Sequence, residues 1–358
     1  MKLVVFGLSI SSSWGNGHAT LWRGLVDALC ALGHRVVFFE RDLPYYAAHR
    51  DLSELPAGRL VLYPDWESVV DFARRELADA DVAVVTSYCP DGVSAGELVL
   101  GCSGVARVFY DLDTPVTLTR LACGDPVPYL GVRGLADYDL VLSYTGGTAL
   151  TALRERLGAR RVLPLYGSVD PRVHHPMDQV NRFRSDLSYL GTYSSDRQHG
   201  VLELFVEPAR RRPNARFVMG GAQYPHDFPW TENIHFVRHL PPAEHPAFYS
   251  SSRLTLNVTR EPMAAFGYCP SGRMFEAAAC GTPVVTDCWE GLDEFFAPGE
   301  ELVTVSNTDD VLRAMKLSDT ELGRIGRAAR ERVLADHTSS RRGAQLVEIL
   351  EGALSVGA

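Results

Sequence analysis

The chain begins Met1-Lys2-Leu3-Val4-Val5-Phe6-Gly7, runs through the loop Ser9-Ile10-Ser11-Ser12-Ser13-Trp14-Gly15-Asn16-Gly17-His18, and continues to Arg35-Val36-Val37-Phe38-Phe39-Glu40. Between loop and second run lies a stretch with apolar positions at Trp22, Leu25, Val26, Leu29 and Leu32 and a stop at Gly33. Five to six apolar residues, a helix-length amphipathic segment and another short apolar run spell a βαβ unit, in which two parallel strands are joined by a crossover helix. The opening residues therefore read as a first strand and not as a signal peptide. The same alternation continues to the other end of the chain, so the expected fold class is α/β.

Working outward, further strands are expected near Arg59–Tyr63, Val82–Thr86, Ala106–Tyr110, Leu140–Ser143 and Arg161–Leu165, which completes one doubly wound domain. Pro164-Leu165-Tyr166-Gly167-Ser168-Val169-Asp170-Pro171 then reads as a linker. A second series follows near Ser188–Gly191, Arg216–Met219, Ile234–Val237, Leu254–Val258, Val284–Thr286 and Leu302–Thr304, with helices near Gln198–Arg211, Glu244–Ser251, Gly272–Cys280 and Thr308–Met315 and a helical tail over Glu321–Leu354. The expectation is two Rossmann-like domains facing a cleft, 1–168 and 169–335, with 336–358 crossing back to the first.

Composition narrows the partners. The 358 residues, 46% of them apolar, suffice for two domains with cores of their own. The formal charge is −9, with 15 basic against 20 acidic residues up to Asp170 and 20 against 24 after it; neither half offers the net basic face that nucleic acid binding needs. No apolar run is long enough to span a membrane, and the expected location is cytoplasmic. The seven cysteines lack any Cys-x-x-Cys pair, so neither a disulfide framework nor a metal site is expected, and they read as buried thiols.

Two segments carry chemistry. In the first, Gly15-x-Gly17 lets backbone approach a ligand, and His18 stands where the helix opens. A dinucleotide fingerprint would need a third glycine where Thr20 stands, with Glu40 as the ribose-binding acid. Asp111-Leu112-Asp113 ends a strand; Asp113 is placed to cap the helix opened by Thr114-Pro115, or to touch a ligand at the strand end, and Ser143–Gly147, including Thr145 and Gly147, is a second strand-end turn. In the second domain Ser271-Gly272-Arg273-Met274-Phe275-Glu276-Ala277-Ala278-Ala279-Cys280-Gly281-Thr282-Pro283 is a short bounded helix with Ser271 as cap and Gly281 just past its end. Arg273 and Glu276 share one face of it. They are either a surface ion pair or a guanidinium for a diphosphate beside a carboxylate for ribose hydroxyls.

The run Gly267–Asp287, then Trp289-x-Gly291-Leu292-Asp293-x-Phe295-Phe296-x-Pro298-Gly299, resembles the spore-maturation (CgeB-like) branch of GT-B glycosyltransferases. So do Tyr110–Thr117, Ser143–Gly147, Pro164–Pro171 and Leu190-Gly191-Thr192-Tyr193-Ser194-x-Asp196-Arg197-Gln198, in the same order. The resemblance implies transfer of a sugar from a nucleotide-diphospho-sugar co-substrate to an acceptor hydroxyl, with no cofactor and no metal. It implies a donor site of Gly191, Thr192, Arg197, His239, Leu240, Arg273, Glu276, Gly291 and Leu292: Glu276 on the ribose, Arg273 on the diphosphate, Gly191-Thr192 lending N–H groups to phosphates, and the base against His239-Leu240. His18 and Asp113 would be catalytic, with Gly15, Gly17, Thr145 and Gly147 on the acceptor side. One departure is that retaining GT-B families carry a second glutamate eight positions before the ribose-binding one, where this chain has Tyr268. A nucleotide-sugar 2-epimerase and a non-catalytic nucleotide-sugar-binding protein are the alternatives on the same architecture.

Overall fold

A computed structural model describes residues 1–354. The chain forms two compact units, Met1–Gly167 with the segment from Ser339 onward, and Ser168–Thr338. Unit 1 carries seven strands: β1 Lys2–Gly7, β2 Arg35–Arg41, β3 Arg59–Tyr63, β4 Val82–Thr86, β5 Ala106–Asp111, β6 Leu140–Ser143 and β7 Val162–Pro164. They pair in the order β3-β2-β1-β4-β5-β6-β7, every pair parallel. Unit 2 carries β8 Leu187–Leu190, β9 Phe217–Gly221, β10 Ile234–Arg238, β11 Thr255–Asn257, β12 Val284–Thr286 and β13 Val303–Thr304. Their order is β10-β9-β8-β11-β12-β13, again parallel throughout. The fold is thus two Rossmann-like sheets flanked by helices. In each, the strand order reverses beside the first strand, and ligands of open α/β sheets bind at the carboxyl ends of strands there.

The cores are built from the apolar runs: Leu3, Val5, Phe38, Val84 and Val108 in unit 1, and Leu187, Phe217, Met219, Leu256 and Val285 in unit 2. The terminal helix Ser339–Leu354 lies on the helix Gly17–Ala31 and feeds Leu346, Leu350 and Ala353 into the core of unit 1. Small residues let the two helices meet: a Cβ at Gly343 would stand 2.7 Å from the Ala28 methyl. The helical tail expected as one piece is two helices, Asp319–Asp336 and Ser339–Leu354, because His337 leaves helical geometry and Val169 pairs with His337 and Thr338 between them. A boundary after residue 335 would fall inside the first of these helices; the units divide at Thr338–Ser339. Missing from the expectation is a helix Glu261–Phe266, which opens with Pro262 in the first turn. The cysteines are free, but only Cys89, Cys269 and Cys280 are buried, and Cys123 and Cys288 are exposed.

Candidate functional site

In unit 1, the loop after β1 is held from the end of β2. Glu40 is fully buried, and its carboxylate accepts from the Ile10 N–H at 2.7 Å, the Ser11 N–H at 2.9 Å and the hydroxyls of Ser9 at 3.0 Å and Ser11 at 2.6 Å. An acid with four donors has no capacity left for a ribose, so the dinucleotide alternative fails at this residue. Asn16 caps the following helix by accepting from the His18 N–H at 3.0 Å. Gly15 takes a left-handed turn, φ 60°, and Gly17 is the first helical residue.

This cap delivers the His18 ring to the end of β5. His18 Nε2 lies 3.5 Å from Asp113 Oδ2, and both side chains are partly exposed. Asp113 occupies the cap position of the helix Thr114–Ala122 without capping it: its side chain makes no bond to the helix N–H groups and turns to His18 instead. Behind it Asp111 is fully buried, accepts from the Asp113 N–H at 3.1 Å, and is pushed by burial up to about 6. Tyr88, at the end of β4, packs edge-on to the His18 ring at 5.7 Å with φ of 62°. At the end of β6, the Ser143 hydroxyl donates to the Thr145 carbonyl at 2.6 Å and accepts from its N–H at 3.1 Å, so Thr145 braces its own turn. Gly147 follows with φ of 56° and opens the helix Thr148–Leu157.

In unit 2, the end of β8 is a cationic site. Arg273 donates to the Leu190 carbonyl at 2.7 Å and to the Ser271 hydroxyl at 3.1 Å, and Arg197 donates to the Tyr189 hydroxyl at 3.2 Å. Ser271 is therefore a cap by position only; its hydroxyl steadies Arg273. Both guanidinium groups crowd Gly191, where a Cβ would lie 2.7 Å from the Tyr189 hydroxyl, 2.9 Å from Arg273 Nη1 and 3.0 Å from Arg197 Nη1, so any side chain there would displace them. Burial pushes the Tyr189 phenol up, yet the two guanidiniums pull it below its usual value, a measure of the positive potential there. The Gly191 N–H is engaged by Gly220 and that of Tyr193 by Ala222, both at 2.9 Å, so of the turn expected to face phosphates Gly191 has no N–H to lend and Thr192 does.

Arg273 and Glu276 do not pair. Glu276 turns the other way, with Oε2 3.4 Å from His245 Nδ1, 3.9 Å from His174 Nε2 and 3.5 Å from the Tyr249 hydroxyl. Burial opposes its ionisation, but His174, His245 and Arg273 around it hold its carboxyl down to about 2. His245 also bonds the Leu240 carbonyl through Nε2 at 3.2 Å, which ties this cluster to the end of β10, where His239 takes φ of 48°. Gly291, with φ of 81°, lies against the Tyr268 ring, and Leu292 is buried beneath the turn. Sequence reasoning does not find His174, His245, Tyr189 or Tyr88. His174 lies just past the stretch that reads as a linker, 71 positions before His245, which itself lies 31 before Glu276, a spacing that matches no metal motif.

The sequence profile of a family described as glycosyl transferase-like matches residues 197–348. None of the curated proteins compared with the chain matches it in sequence. Among solved structures, a sucrose-phosphate synthase from Thermosynechococcus elongatus is 16% identical, with a TM-score of 0.75 over 99% of each chain. Anabaena HepE in complex with UDP-glucose is 12% identical, with a TM-score of 0.67 over 98% of this chain and 100% of that one. An α-glucosyltransferase in complex with UDP and a 13-mer DNA is 14% identical, with a TM-score of 0.70 over 98% and 99%. At these identities the likeness is one of fold. Residues 197–348 thus carry the pattern of a glycosyl transferase-like family, within a chain whose two Rossmann-like units have the GT-B fold.

Proposed function

We propose that the protein is a glycosyltransferase of the CgeB-like branch that moves a sugar from a UDP-linked donor to an acceptor hydroxyl. The observation that carries this reading is the convergence of Arg197 and Arg273, both within the segment that matches the transferase family, on Gly191 at the switch point of unit 2. Two guanidiniums at a glycine turn suit a diphosphate, which they grip in forked geometry and stabilise as it leaves, so the transfer step needs no bound cation. The Thr192 N–H adds a donor. The Glu276 carboxylate takes ribose, the base lies against His239-Leu240, and the Gly291-Leu292 turn closes the donor site. Uridine is favoured because several proteins of this fold hold UDP or UDP-glucose. His18 and Asp113 serve the acceptor hydroxyl from unit 1, beside Gly15, Gly17, Thr145 and Gly147. The free cysteines are in keeping with work in the cytoplasm.

A thermal-shift screen of UDP against other nucleoside diphosphates tests the donor site, since ligand at 100 times its Kd adds about 2.7 kcal/mol of apparent stability. UDP-sugar is then incubated with the protein: release of UDP without isomerised donor supports transfer. Isomerised donor would establish the 2-epimerase reading instead, and absence of any shift with every nucleotide would remove the donor site altogether.

A further inference from the structure

We propose that His174, His245 and Glu276 form a binding site for a divalent transition-metal ion of the zinc type. The candidate ligand atoms, one from each residue, lie within 4.8 Å of one another. His174 is 5% exposed and Glu276 9%, and His245 is partly exposed, so the cluster is largely buried with one side open. Neither nitrogen of His174 has a hydrogen-bond partner among the described residues, and His245 Nδ1 has none either. A buried imidazole without any partner is costly and calls for something that binds it.

The hydrogen bonding of His245 narrows what that is. Its Nε2 lies 3.2 Å from the Leu240 carbonyl, which can only accept, so Nε2 carries the proton and the neutral ring presents a bare lone pair at Nδ1. That lone pair faces the Glu276 carboxylate oxygen at 3.4 Å, and His174 Nε2 faces the same oxygen at 3.9 Å. Lone pairs aimed at a carboxylate repel unless a cation lies among them. A proton is a poor fit, because a charge-assisted N–H···O bond closes to about 2.7–2.9 Å. A four-coordinate zinc ion, bound at about 2.0–2.1 Å, holds its ligand atoms roughly 3.4 Å apart. The His245–Glu276 pair has that spacing, while His174, 3.9 Å from the carboxylate oxygen and within 4.8 Å of the other ligand atoms, would move inward by about 0.5–1.5 Å to complete the set. The Leu240 carbonyl behind His245 is the outer partner that orients metal-bound imidazoles.

Two histidines and one carboxylate are three protein ligands, which leaves a fourth position for water. The ion would sit on Glu276 Oε2, the carboxylate that the sugar-transfer reading gives to the ribose, so Zn2+ and UDP are expected to compete for this residue. The ion is distinct from the cation-free stabilisation of the leaving group by Arg197 and Arg273, and the inference does not rest on sugar transfer.

The test is a titration of chelator-treated, full-length protein with Zn2+, followed by calorimetry, and with Co2+, followed by its visible spectrum. Expected are one Zn2+ per chain with a Kd below micromolar, proton-coupled binding, and the strong visible bands of four-coordinate Co2+ without thiolate charge transfer. His174→Ala and His245→Ala should each weaken Zn2+ binding at least 10-fold, in the range seen when metal-site partners are lost. Circular dichroism checks that the variants fold, and His245→Asn serves where the alanine does not. Absence of saturable binding to the wild type, thiolate bands in the Co2+ spectrum, or equal affinity in the folded His174→Ala/His245→Ala protein would each overturn the site; a proton held by the imidazoles would then be the cation.

Discussion

The two units share one strand order yet treat the turn after their first strand in opposite ways. In unit 1 an acid at the end of the neighbouring strand, Glu40, collects the N–H groups of Ile10 and Ser11, so the start of that loop is locked and those two donors are spent. In unit 2 the neighbouring strand ends Gly220-Gly221, no carboxylate stands there, and Arg197 and Arg273 close on Gly191 instead. The same fold therefore makes one turn closed by a carboxylate and one bordered by two guanidiniums, and only the second has the charge that the proposed diphosphate needs. The units also differ in continuity: unit 2 is one uninterrupted stretch, whereas unit 1 takes back a helix from the far end of the chain.

That difference in continuity gives the largest expected effect. Ending the chain after His337 removes Leu346 and Leu350 from the core of unit 1, and buried leucines are worth about 2–5 kcal/mol each, so unit 1 should lose about 5 kcal/mol or more. Unit 2 keeps all its strands and should keep its affinity for UDP. Calorimetric melting with UDP titration checks this; a truncated protein that melts as one unchanged transition would show that the terminal helix adds nothing.

Next in size is chemistry confined to unit 1. His18→Ala should lower turnover by roughly 10²–10⁴-fold, the range for loss of a general base, with UDP affinity unchanged. An imidazole facing the Asp113 carboxylate at 3.5 Å suits that role if the reaction inverts the anomeric centre. Proton NMR of the product, read beside the kinetics, decides: a retained configuration with a small kinetic effect would leave His18 as a mere binding group.

A crossed pair of variants addresses the turns directly. Arg273→Ala should weaken UDP binding by about 1.5–3 kcal/mol with little change in melting, while Glu40→Gln should do the reverse, lowering stability by about 1–3 kcal/mol and sparing UDP. If both variants lost stability and neither lost UDP, the arginines would be structural and the contrast between the units would fail.

Much of the scaffold is legible because each strand is an apolar run and each helix has an amphipathic period: β1, β4, β6 and β12 stand within a residue of expectation. The break at His337 has a signal that a tail read as one helix passes over, since Asp336-His337-Thr338-Ser339 are weak helix formers, and pairing with Val169 fixes the interruption. In the site, Arg273 and Gly191 are marked by motif. A pairing of Arg273 with Glu276 fails because i, i+3 spacing puts two side chains on one face without saying which neighbour each finds; Arg273 finds a strand-end carbonyl and Glu276 two histidines. His174 and His245 come from segments far apart in sequence, and only the fold of unit 2 puts them beside one carboxylate.

The smallest expected effect concerns the second acid of unit 1, and it separates a locked carboxylate from a strained one. Glu40 has four donors, whereas Asp111 is just as buried and has an oxygen, Oδ2, with no partner among the described residues. Burial raises Asp111 from 3.8 to about 6. A carboxyl with a folded value above its unfolded one favours folding below pH 3.8, and that contribution is lost as the pH rises through about 6. The ionised group then burdens the fold at pH 8 by about 2–3 kcal/mol, since each tenfold change in proton affinity is worth about 1.4 kcal/mol. Asp111→Asn keeps an acceptor for the Asp113 N–H and removes the charge, so it should be more stable than the wild type at pH 8 by about 1–2 kcal/mol, after allowing for its unpaired amide, and lose that advantage by pH 4. Paired denaturant melts at the two pH values measure the change. An Asp111→Asn variant less stable than the wild type at pH 8 would mean that the Asp111 charge is compensated as fully as that of Glu40, and the two acids would no longer differ.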